Sequence, residues 1–159
     1  MATQGPLSSS SSSLYAAGLI GACLDGKVPV ARGSVNEVAR ACGWMVARAA
    51  GALAASGRPR ELLGVVFVLT RADSEAVGYT PAPASRPGEP HPAATAVWLV
   101  EQEAAGAHEL VDTVMAEFLS VDLPGRAVVL AQVTARLMRL VDGPGAHATL
   151  RSYTACGSH

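Results

Sequence analysis

The most apolar stretch of this chain is "LLGVVFVL", residues 62–69, where no side chain is polar. Val65, Val66, Val68 and Thr70 are β-branched, and the run is short, which suits a strand covered on both faces. Pro59 and Glu61 just upstream are the marks of a helix opening instead; we read a strand. The plainest helix is signalled by "SVNE" at 34–37, a capping box in which the Ser34 hydroxyl accepts from the amide three residues on. Val35, Val38, Ala39, Cys42, Met45, Val46, Ala49 and Leu53 then recur at steps of three and four, and Gly57 suits the stop. Upstream, "SLYAAGLIG" and "CLDGKVPVARG" flank Asp25-Gly26, a hairpin-type turn, and predict a short β-hairpin. "TAVWLVEQ" (95–102) is ambiguous between strand and helix. Ala107, Val111, Val114, Met115 and Phe118 trace a second helical face, closed by "VDLPG" at 121–125. "RAVVLAQV" (126–133) reads as a strand, although Leu130, Val133, Leu137, Leu140 and Val141 also fit helical spacing. "DGPG" (142–145) is a turn, and "HATLRSYTA" (147–155) alternates like a last strand. The order ββ, α, β, loop, α, β, β predicts an α+β fold, a sheet with two helices on one face and a right-handed crossover. The alternative is an all-α helical bundle, if the strand assignments fail.

Composition narrows the class. With 159 residues, one domain is expected, and 50% hydrophobic with 16% charged residues excludes a disordered chain. Aromatics make up only 4%, so the core is to be built from Ala, Val and Leu. The domain is placed at 13–156, after a Ser-rich segment at 1–12 read as a tail and before a tail at 157–159. Five prolines between 81 and 92 mark an extended loop within an apparent insertion near 76–105. A formal net charge of −1 gives no field for nucleic acid or anionic lipid. No apolar span reaches the ~18 residues of a membrane helix. The first basic residue, Lys27, follows the first apolar run, the reverse of a secretory signal. Cys23, Cys42 and Cys156 are an odd count without CxxC, which argues against a disulfide framework and against zinc. A reducing, cytoplasmic setting fits, with a mitochondrial one open.

Six features, in order, resemble the RidA family (YjgF or L-PSP proteins). Gly5-Pro6-Leu7-Ser8 and "YAAGLIG" stand where the family has Gly-Pro-Tyr-Ser-Gln and a strand with Ser-Gly-Gln-Ile. "LDGKV" and "LAASG" match its Asp-Gly hairpin and the Ala-Ala-Gly end of its long helix. "ELLGVVFVLT" resembles the following strand, "VDTVMAEFL" the second helix, and Pro124-Gly125-Arg126 the Pro-Ala-Arg before a strand. The resemblance implies a chorismate-mutase-like fold and a homotrimer with ligand sites between subunits. It implies hydrolysis of 2-iminobutanoate or 2-iminopropanoate type imines and enamines, with no metal and no cofactor.

On the same resemblance, Arg126 corresponds to the arginine that holds the substrate carboxylate. Its fork suits a two-point grip that lysine cannot make. Asp112 stands at the family's second-helix Asn, and Val128 at a position that is Cys in many members. Leu7 replaces the family's Tyr, and Arg151 falls where a water-positioning Glu belongs. An anion grip without that acid points to either a divergent deaminase or a non-catalytic relative that binds a small carboxylate ligand. A non-enzymatic helical protein–protein interaction protein is the alternative. Elsewhere, HExxH, GxSxG, Walker A and GxGxxG motifs are absent from the sequence. His108 and Asp112, four apart, read as a surface pair, and Trp44 as a packed or interface residue. The acids from Glu89 to Asp122 read as a solvated face.

Overall fold

The computed structural model describes residues 4–76 and 91–157, with side-chain surroundings for 12–72 and 91–152. Among these residues there is no strand. The order is α1 (Gln4–Leu24), α2 (Val35–Ser56), α3 (Pro59–Ala76), α4 (Pro92–Ala104), α5 (His108–Val121), α6 (Leu123–Asp142), a 3-10 turn (Gly143–Gly145) and α7 (Ala146–Gly157). The α+β sheet, its crossover and the chorismate-mutase-like, RidA-like architecture are therefore corrected to an all-helical fold. The deaminase expectation loses the last strand on which its water-positioning residue was to sit.

The architecture is a hub. Helix α6 packs against each of the other six helices. From Gly125 to Ala135 every residue is buried, and Leu137 and Met138 continue the core. Burying a side chain such as Leu130 or Leu137 stabilises by roughly 2 kcal/mol each. Both α6 and α2 bury small residues, Ala127, Ala131 and Ala135 on one and Ala41 and Ala49 on the other. The Thr134 hydroxyl bonds the Leu130 carbonyl at 2.8 Å and lies 3.3 Å from that of Met45, joining the two helices.

A helix with no solvent face shows no 3.6-residue alternation, so its sequence looks like that of a central strand. That is why 126–133 misled. Its start is nevertheless conventional: Asp122 accepts from the Gly125 amide at 3.3 Å, with Pro124 in the first turn.

Residues 62–69 are helical for a related reason. Pro59 opens α3 and Glu61 lies in its first turn. Leu63, Val66 and Thr70 face inward at helical spacing, while Val65, Val68 and Leu69 are exposed. Two apolar faces on one helix give an unbroken apolar run. The cost of Val in a helix, a few tenths of a kcal/mol each, is easily offset by packing.

The expected hairpin at 13–33 is the end of α1 and a connector. Gly26 has φ +76°. Its amide donates to the Cys23 carbonyl at 3.0 Å and the Lys27 amide to that of Ala22 at 2.9 Å. This is a Schellman stop, which wants the left-handed glycine that a hairpin turn also wants. The connector 27–33 is pinned by the Tyr15 hydroxyl, which donates to the Arg32 carbonyl at 2.5 Å. The Ser-rich segment read as a tail is helical from Gln4 onward, and Ser12 and Ser13 are buried. The alternating segment 147–155 lies in α7.

Other readings hold. Ser34 accepts from the Glu37 amide at 3.1 Å, and Gly57 ends α2 at φ +72°. The predicted stripe of α2 is buried apart from exposed Val35 and half-buried Ala39. Helix α5 buries Val111, Met115, Phe118 and Leu119. The ambiguous 95–102 belongs to α4, capped by His91, whose Nδ1 accepts from the Ala93 amide at 3.1 Å. Most of the Pro-rich loop, 77–90, lies outside the described residues.

Candidate functional site

Polar side chains interrupt the hub helix along one lane. Gln132, Arg136 and Arg139 stand four and three residues apart, so they share a face of α6. That face meets the last turn of α1 and the turn after it. Together they enclose a pocket of about 310 Å³, lined by Cys23, Leu24, Gly26, Lys27 and Val28 from one side and Gln132, Ala135, Arg136 and Arg139 from the other. The Schellman stop creates the opening, because it turns the chain at Gly26 and sets Lys27 and Val28 over the end of α6.

The pocket is basic. Lys27, Arg136 and Arg139 line it, and no acidic side chain among the described residues does. Asp25, beside the turn, is paired instead with His147 Nε2 at 2.9 Å. Arg139 donates to the Leu24 carbonyl. This satisfies one of the orphan carbonyls at the end of α1 and offsets the negative end of its dipole. The guanidinium has five donors, so one such bond leaves others for the pocket. Burial lowers the Arg136 pKa and the neighbouring Arg139 charge lowers it further, against an upward pull from Cys23. A guanidinium in that position is stabilised by an incoming anion.

Two neutral groups complete the lining. Burial pushes the Cys23 thiol up to about 12, with Arg136 pulling the other way, so it stays protonated near neutrality. Gln132 is 8% exposed, and its Oε1 is buried with no hydrogen-bond partner among the described residues. Such a group costs free energy unless something donates to it.

The residues singled out from sequence lie elsewhere. Arg126 is 2% exposed at the start of α6. Its Nη1 donates to the Phe118 carbonyl at 3.2 Å, and its guanidinium lies 4.8 Å from the centre of the Phe118 ring. It clasps the corner between α5 and α6. Val128 is buried half a turn further along α6, and Asp112 is on the exposed side of α5. Arg126 and Val128 thus share the inner helix, and neither lines the pocket. His108 pairs with Glu103 at 2.7 Å instead of Asp112. Trp44 packs on the core, with the Arg48 guanidinium 5.6 Å from the centre of its ring.

Cys23, Lys27, Gln132, Arg136 and Arg139 were missed as a site. The signal was the lane of three polar residues in an apolar run, visible only once 126–141 is taken as a helix. No group of three or more His, Cys, Asp or Glu side chains that could hold a metal occurs among the described residues. No described helix is long and apolar enough to cross a membrane. No family model, no curated protein and no solved structure matches the chain, so the chemistry of the pocket is read from its own residues.

Proposed function

We propose that this is a non-enzymatic helical protein that holds a small carboxylate-sized anion in the pocket between α1 and α6. The observation that carries the reading is the meeting, among the described residues, of three basic side chains and no acidic one around a partly enclosed volume of about 310 Å³. That volume is at the small end of ligand pockets, which suits a metabolite better than a polymer. Binding is favoured over turnover because the candidate nucleophile, Cys23, is held as the thiol.

Thermal unfolding tests the reading. Acetate, butanoate or inorganic phosphate, at about a hundred times its dissociation constant, should stabilise the fold by roughly 2.7 kcal/mol. For a chain of this size that is a rise in Tm of about 5–10 °C. Arg136→Gln should weaken binding by about tenfold or more, the value of a charge-assisted hydrogen bond. Arg151→Gln, an exposed site outside the pocket, should leave binding unchanged. A second reading, a helical protein–protein interaction protein, is favoured by the outward apolar stripe of Val65, Val68 and Leu69 on α3. The same experiment separates the two: a Tm that no small anion moves leaves the α3 face as the working surface.

A further inference from the structure

We infer that the ligand of this pocket is an anion that also carries a neutral hydrogen-bond donor, a hydroxyl or amide N–H, set about one helical turn from its charged group. The inference rests on the anion-binding reading and deepens it. Gln132 is the observation behind it. Its side chain is more than nine-tenths buried, lines the pocket, and has an Oε1 without a partner among the described residues. An amide oxygen only accepts. A carboxylate placed against it would be repelled, so the group that meets it must be an O–H or N–H.

The helix sets the spacing. Gln132 and Arg136 are four residues apart, about 6 Å along the axis at 1.5 Å per residue. Arg139 lies beyond Arg136 and ties down the last turn of α1. The anionic end therefore faces Arg136, Arg139 and Lys27, and the donor reaches Gln132. The stem between them runs along Leu24, Val28 and Ala135, which line the same pocket. A cationic ammonium makes a poor donor here, because three basic side chains share the space. An ω-hydroxy carboxylate of about four carbons meets every requirement.

Calorimetric titration with a matched set tests this: butanoate, 4-hydroxybutanoate and 4-aminobutanoate, against the full chain and Gln132→Leu. In the native chain, 4-hydroxybutanoate should bind about fivefold more tightly than butanoate, the worth of one net hydrogen bond. The amino acid should bind more weakly than the hydroxy acid. In Gln132→Leu the preference for the hydroxyl should vanish while butanoate still binds. Equal affinities for butanoate and 4-hydroxybutanoate in the native chain would mean that no ligand group meets Gln132. That overturns the inference and leaves the anion pocket standing. A preference that survives in Gln132→Leu overturns it too. Absence of heat from all three ligands removes the anion reading and the inference together. The native-chain comparison decides the matter even where the variant does not fold.

Discussion

Val129→Asp should leave no folded protein, whereas Val68→Asp should change stability by less than about 0.5 kcal/mol. Val129 is fully buried on the hub helix, which packs against six others. A carboxylate there is cut off from water, and the guanidinium of Arg126, three residues earlier, is already engaged by the Phe118 carbonyl and ring. Its burial costs several kcal/mol, and neutralising it by proton uptake still leaves an unpartnered polar group. A domain of this size is stable by only about 5–15 kcal/mol. Val68 is 62% exposed on α3, where most substitutions are nearly neutral. Far-UV circular dichroism and urea denaturation measure both. The comparison is pointed because each valine lies in an apolar run that reads as a two-sided strand. If both substitutions were equally destructive, the exposed face of α3 would be wrong.

Arg126→Ala should destabilise the fold by roughly 3 kcal/mol and leave anion affinity within twofold of the native value. The guanidinium is buried, donates to the Phe118 carbonyl and stacks over its ring. Its removal leaves that carbonyl short of a donor, worth about 1–3 kcal/mol, and forfeits a desolvated cation–π contact of up to about 2 kcal/mol. Arg126 is not among the described residues that line the α1–α6 pocket. The denaturation midpoint and a titration with butanoate read the two effects separately. A stable Arg126→Ala protein that no longer binds carboxylate would return the grip to Arg126 and take it away from Arg136.

The contrast shows which features local chemistry declares. Ser34 and Gly57 bound α2 because a cap and a left-handed stop act within a few residues, and both are visible in the letters. The faces of α2 and α5 are legible because each helix has a wet side that breaks the apolar pattern. Helix α6 has none over its first half, so its period is hidden, and α3 hides its own by exposing Val65 and Val68. Asp25-Gly26 is ambiguous in principle, since one positive φ serves a hairpin and a helix stop alike. Gln132, Arg136 and Arg139 share one face only at helical spacing, and reading 126–133 as a strand hides that face. The pocket also needs Lys27 beside α6, more than a hundred positions later, and no local pattern encodes that meeting. The RidA-like order of short motifs was carried by Gly, Ala and Val, residues that serve helix ends and interiors as readily as a sheet.

The most direct test of the anion pocket is amide chemical-shift mapping by NMR of the full chain, titrated with butanoate. Shifts concentrated at 23–28 and 132–139, and suppressed by Arg136→Gln, are the expected result. Shifts centred on Phe118 and Arg126, or none at millimolar butanoate, would contradict it.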